Sequence, residues 1–449
     1  MRIEFIKFTF TSCADTKNCF NFFFFLMISY CHIKHLCLFF IIIFGCNSSA
    51  QYKNCLCFEV TDQNTISLDR PISISFKNNQ IACWKKGMVL IKKSVKGNQT
   101  RAYQMDEQEN KIWFKHNSDE GIKTTYCFVS LTDKNKRPSF GYKKENGDLM
   151  LTHNDKSLIH YRYQTKMPPQ GVNPLYQKSG YIHPVISSKG DTLTRIQPPD
   201  HYHHYGIWGP WTRTRINDVG VDFWNLKEGQ GTVLFKSFND LETGNVFGGF
   251  SANQEHLNLT PKEGPQVALN EELNVKVWKN NKPDQYFIDY TTKFKSPLKN
   301  GILFEAYRYG GGLGFRFKEQ WSKENCEVIT SEGKNRVVAD GSSARWAMVY
   351  GVSQDGKGTT GVLFMSHPDN QSHPEPMRVW PLDANSGRGD MFFQFCPIRH
   401  EEWKIEPQKT YQLNYRMLVF DGKITPEEAE QHWKAFAFQP KINIVNSNP

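Results

Sequence analysis

The sequence predicts an all-β protein: a large antiparallel β-sandwich, with a small N-terminal β-sandwich before it and a short C-terminal helix at its end. Three observations predict this. Tyr286, Ile288, Tyr290, Thr292 and Phe294 share one face of an extended segment, the period of two expected of a strand with one side buried. Turn signals at Asn146-Gly147, Lys189-Gly190-Asp191 and Asp421-Gly422 cut the apolar runs into short pieces. Aromatics make up 14% of the 449 residues, with 33 Phe, 18 Tyr and 11 Trp, which suits strands and surfaces that stack on flat sugar rings.

The first fifty residues read as a leader and upstream sequence rather than fold. Residues 36–44 (LCLFFIIIF) form an apolar core preceded by Lys34 and His35, too short to span a bilayer and consistent with a secretory signal. A start at Met27 would give that leader a compact basic end. Two processing outcomes compete: cleavage after the small residues Ser48-Ser49-Ala50, or a lipid anchor on Cys46, where Gly45-Cys46 resembles a lipoprotein box. Either outcome implies export to the periplasm or cell surface, with membrane contact only through Cys46.

Residues 51–140 suit the small β domain, and residues 141–438 the large sandwich that carries catalysis. The polar stretch 133–137 (DKNKR) separates them, and residues 439–449 read as a tail. In an oxidising compartment Cys55 or Cys57 pairs with Cys83 or Cys127, the connectivity being open. Tyr411, Leu413, Tyr415, Met417 and Val419 alternate with Gln412, Asn414, Arg416 and Leu418, so only Leu418 spoils a polar face. The helix follows: Thr425 caps it, Pro426 occupies the first turn, Glu427 and Glu428 favour its dipole, and Ala429, Trp433 and Phe436 share a face.

The charge balance of 55 Lys+Arg against 45 Asp+Glu gives +10. It is diffuse, and no zinc-finger, helix-turn-helix or RNA-binding signature accompanies it, so no nucleic-acid partner is expected. An acidic polysaccharide fits the same balance. A mean hydropathy of −0.57 argues against a polytopic membrane protein.

Chemistry concentrates between Tyr181 and Trp224. His183-Pro184 is followed by Asp200-His201-Tyr202-His203-His204-Tyr205-Gly206-Ile207-Trp208 and then by Asp222-Phe223-Trp224. In an extended segment His201 and His203 would face one way and Asp200, Tyr202 and His204 the other, so convergence on one ligand requires a bend. Pro198, Pro199 and Gly206 supply residues for it. Imidazole suits acid–base work and metal ligation alike. A divalent metal therefore stays open as a cofactor, although no spacing here matches a recognised site.

These residues resemble the bacterial PmoA-like family of secreted, largely uncharacterised proteins. Further matches are Tyr309 with the glycine run 310–314, Ala344-Arg345-Trp346, and His367-Pro368-x-Asn370, so that the resemblance covers residues 140–420. The family's name implies methane oxidation, which the lack of a long apolar run after residue 50 contradicts. What the resemblance does imply is a β-sandwich like those of sugar mutarotases and polysaccharide lyases.

Among reactions on sugars, elimination from a uronic acid uses the available residues most fully: a base takes the proton beside the carboxylate, an acid protonates the departing oxygen, and cations steady the carboxylate. His203 and His204 are the base and acid candidates, with His183 and Asp200 orienting them and Tyr309 a second acid. Arg345 and Arg316 are candidate carboxylate clamps. His367, Trp208 and Trp224 are candidate substrate contacts. The expected activity is a dehydratase or polysaccharide lyase acting on acidic oligosaccharides. The alternatives are a glycoside hydrolase using Asp200 and Asp222, or a non-catalytic glycan-binding protein. The glycine run lacks the following Lys-Ser/Thr of a phosphate loop and reads as a tight turn.

Overall fold

The computed structural model describes residues 54–62, 68–76, 87–94, 97–106, 110–118, 123–129 and 137–445, together with three strand segments in the first 53 residues. The chain divides into two compact units, residues 1–53 and 54–449. In the first unit Phe5–Ser12, Phe20–Met27 and Phe40–Ile41 pair in that order. Both processing sites expected of the leader lie outside the described residues.

The second unit contains the expected antiparallel sandwich. One eight-stranded sheet runs, in spatial order, Phe140–Glu145, Asp148–His153, Lys156–Arg162, Tyr181–Val185, Ile207–Trp208, Leu313–Arg316, Phe392–Phe395 and Met377–Val379. The other runs Gly231–Glu242, Phe247–Asn258, Gln266–Trp278, Gln285–Lys295, Tyr411–Asp421, Thr359–Ser366, Trp346–Val352 and Cys326–Thr330. Strand alternation builds the core between them: Tyr286, Ile288, Tyr290 and Phe294 meet Leu413, Tyr415, Met417 and Val419, all buried in one cluster. At Asn146-Gly147 both residues have positive φ (50° and 82°), the conformation of a tight hairpin turn, and the pair joins Phe140–Glu145 to Asp148–His153.

The outer face of the second sheet is apolar as well, because a helix covers it. Trp278, Phe287, Leu363, Leu418 and Phe420 pack against Ala429, Trp433 and Phe436 of Pro426–Ala437. Leu418, the residue that broke the polar face in sequence, is therefore a helix contact. Thr425 accepts from the Glu428 amide and the Glu428 side chain accepts from the Thr425 amide, a closed capping box.

Ahead of the large sandwich, Asn54–Thr61, Lys123–Val129, Val89–Lys92 and Gln99–Arg101 form a sheet that faces Arg70–Ser75, Lys111–His116 and Tyr103–Asp106 across a core of Phe58, Val60, Ile72, Phe114 and Tyr126. Cys57 and Cys127 are register partners and are joined by a disulfide. Cys83 lies outside the described residues. Residues 439–449 are more than a tail. Lys441–Val445 adds an edge strand to Asn54–Thr61, with Ile442 and Ile444 against the small core, an alternation too short to stand out in sequence.

Candidate active site

The site lies on the outer face of the first sheet, and strand alternation puts it there. Ile207, Phe315, Phe393 and Val379 point into the core; their neighbours Trp208, Arg316, Phe392, Arg378 and Trp380 point out. Between the strands Tyr181–Val185 and Ile207–Trp208 the chain leaves the sheet and makes two successive turns, closed by His201 N to Pro198 O (2.9 Å) and His204 N to His201 O (3.0 Å). The bend replaces the alternation of an extended segment and gathers three imidazoles. The ring centres of His201, His203 and His204 lie 4.8–5.5 Å apart. Gly206 closes the bend at φ 59°, where a Cβ would stand 2.2 Å from Ile182 O, so only glycine fits.

The histidines line a pocket of about 190 Å³ with Thr212, Trp224, Asn225, Tyr307, Tyr309 and Trp380. This is smaller than the usual range for drug-sized ligands and suits one ring rather than a chain segment. Its lining contains no carboxylate. Among the described residues no group of three or more His, Cys, Asp or Glu is arranged to hold a metal ion.

Asp200 is the electrostatic pivot. Its Oδ1 accepts from Arg195 Nη2 at 2.7 Å, and its Oδ2 accepts from Arg316 Nη2 at 2.8 Å and from His201 Nδ1 at 2.8 Å. Partial burial opposes its charge, but the His201 hydrogen bond and the Arg316 and Arg195 charges prevail and hold the carboxyl well below its ordinary range. An ionised carboxylate only accepts, so the His201 proton sits on Nδ1 and Nε2 carries the free lone pair. His203 and His204 differ. Burial, reinforced by neighbouring positive charge, lowers His203 to about 4 and holds His204 well below the usual imidazole range, so both are neutral at pH 7. The His204 ring is enclosed by Trp208, Trp224, Trp380 and Phe392, and its Nδ1 has no partner among the described residues.

In the same lining Tyr309 Oη accepts from Arg378 Nη2 at 3.1 Å, and Arg378 also donates to Asp340. A phenol oxygen that accepts from a guanidinium still carries its own proton to donate.

Several expected residues take other roles. Arg316 is fully buried outside the pocket lining, its Nη2 donating to Asp200 and Asp390 (2.7 Å) and its guanidinium over Trp380, while its Nε and Nη1 have no partner among the described residues; its burial makes it a support of the site instead of a substrate clamp. Asp222 accepts from the Trp224 and Asn225 amides, Thr212 Oγ1 and Asn225 Nδ2; these four bonds leave it a positioning residue. His183 bonds Thr194 Oγ1 through Nδ1 at 2.9 Å, with no contact to the histidine trio among the described residues. Arg345 is neutralised by Glu332 and Glu430 and stacks on Trp433; His367 sits edge-on to Phe436. Both belong to the helix-covered side of the sandwich. Trp208 backs His204 from within an aromatic cluster, while Trp224 reaches the pocket.

Sequence reasoning passed over His201, Trp380, Arg378 and Asp390. For His201 a signal existed, since an adjacent Asp200 is the natural partner of an imidazole. The other three come from strands and loops far along the chain.

Residues 148–434 match a family of unknown function, DUF6807. No curated protein matches the chain. Among solved structures, heparan sulfate lyase HepC from Pedobacter heparinus is similar at 12% identity with a TM-score of 0.33, over 66% of this chain and 38% of that one. The chain thus spans well under two thirds of that structure's length. With the family match covering more than half of its length, the chain belongs to the DUF6807 family.

Proposed function

We propose that the protein is a carbohydrate-active carbon–oxygen lyase that removes water or a glycosidic oxygen from uronate-containing oligosaccharides. The observation that carries this reading is the presence, in the lining of one carboxylate-free pocket, of an aspartate-supported imidazole, His201, and a phenol, Tyr309. His201 Nε2 takes the proton from the carbon beside the carboxylate. The C–H electron pair becomes a carbon–carbon double bond, the bond to the oxygen on the neighbouring carbon breaks, and Tyr309 protonates that oxygen, leaving as water or an alcohol. Asp200 fixes the tautomer and orientation of His201 through Nδ1, whereas His203 and His204 sit in dry surroundings that disfavour protonation.

Hydrolysis by Asp200 and Asp222 fits less well. A glycosidase acid needs a carboxyl that keeps its proton at working pH, and Asp200 is held ionised. Action after export is supported by the Cys57–Cys127 disulfide, a bond favoured in oxidising compartments. The test is incubation with uronate-containing oligosaccharides, following product mass and the ultraviolet absorbance of a conjugated unsaturated uronate. New absorbance in the wild type, lost in His201→Ala and Tyr309→Phe, is expected. Chain cleavage by water addition without new absorbance would overturn the reading.

A further inference from the structure

With Arg316 buried outside the pocket lining and Arg345 paired on the helix-covered side, another cation must steady the substrate carboxylate. Arg213 and Arg308 stand beside the pocket. The Arg213 guanidinium lies 4.6 Å over the ring of Tyr307, and that of Arg308 lies 5.3 Å from the ring of Tyr309; both tyrosines line the pocket, with ring centres 6.0 Å apart. Both arginines are exposed. Among the described residues neither has a carboxylate partner, whereas nearby Arg215 is paired with Glu305, Arg378 with Asp340 and Arg399 with Asp340. Arg213 also holds its backbone at φ 49°, a left-handed conformation that non-glycine residues adopt at a cost.

An arginine stacked on an aromatic ring has its plane fixed while its N–H edge stays free, the arrangement that binds a planar carboxylate in bidentate fashion. We propose that Arg213 and Arg308 form a carboxylate clamp at the mouth of the pocket, presenting the acidic ring to His201. The clamp rests on the uronate reading above and names the residues that would make the site selective for acidic over neutral sugars. It also explains why removal of the proton beside the carboxylate becomes feasible, since the charge that develops on the carboxylate oxygens falls against two guanidinium groups.

The test is binding, measured by calorimetry, of polygalacturonate tetrasaccharide, the same tetrasaccharide after reduction of its carboxylates, and a sulfated neutral tetrasaccharide. The wild type is expected to bind the acidic form at least tenfold more tightly than the other two. Arg213→Gln and Arg308→Gln should each remove most of that preference while leaving the weak affinity for the reduced sugar and the melting temperature unchanged. Equal binding of acidic and reduced forms, equal binding of the sulfated form, no binding of any form, or a preference that survives both substitutions would overturn the clamp. Catalysis is read separately: a preference that depends on both arginines without any turnover would sink the elimination and leave the clamp standing.

Discussion

Replacing Asp200 by Asn removes one negative charge from the centre of the site while preserving its shape. In the wild type that carboxylate accepts three hydrogen bonds at 2.7–2.8 Å, from Arg195, Arg316 and His201. Asn offers one oxygen, and its amide meets donors at the other position. Arg316 is fully buried and keeps only Asp390, so the substitution should destabilise the fold by about 3 kcal/mol, the lower end for breaking a buried ion pair. His201 loses the group that sets its tautomer and orientation, and turnover should fall by about 10²- to 10⁴-fold. Acidification supplies an independent check. The Asp200 pKa is depressed in the folded state, so its contribution is fully present above the unfolded value of about 4 and is lost as pH falls below it. Urea unfolding of both proteins from pH 7 to pH 2 should therefore show a stability gap that is flat near neutrality and narrows below about pH 4. An Asp200→Asn variant with wild-type stability and turnover would refute this account of the pivot.

Four further outcomes are expected. His203, His183 and His432 are each lowered to about 4 by burial, so the unfolded chain binds protons that the folded chain refuses; stability should decline as pH falls from about 6.5 towards 4, and a urea midpoint equal at pH 7 and pH 5 would contradict it. Gly206→Ala should cost at least about 2–3 kcal/mol by calorimetry, through a Cβ driven against Ile182 O and a disfavoured φ; an unchanged melting temperature would refute the need for glycine there. Cys57→Ser should cost about 4 kcal/mol, the loop-entropy value for a separation of 70 residues, and reduction of the wild type should reproduce the loss in urea unfolding. Arg345→Ala and His367→Ala should leave turnover within about twofold, because both lie on the helix-covered side; a hundredfold loss in either would place the site wrongly.

The large sandwich was legible because a strand's period survives in sequence, and even its one irregularity, Leu418, had a physical cause in the helix that covers it. The site was legible only as density. That Asp200 and the three histidines belong together follows from their spacing, but their convergence depends on two turns whose closing bonds run between backbone atoms. Arg316 looked like a free clamp because nothing local reveals Asp390, 74 positions away, facing it across neighbouring strands. Trp380 reaches the pocket, and Arg378 the Tyr309 phenol, because Met377–Val379 pairs with Phe392–Phe395, and Phe392–Phe395 with Leu313–Arg316, a strand order that spacing does not encode. The free arginines were hidden for the opposite reason: among 55 basic residues, Arg213 and Arg308 are distinguished only by lacking, among the described residues, the acid partners that their neighbours have.

The central claim is elimination by His201 and Tyr309, and the most direct measurement is product mass after turnover in heavy-oxygen water. Elimination predicts an unsaturated uronate product that absorbs in the ultraviolet and carries no oxygen from solvent. A product with one solvent oxygen at the cleaved position and no new absorbance would contradict it.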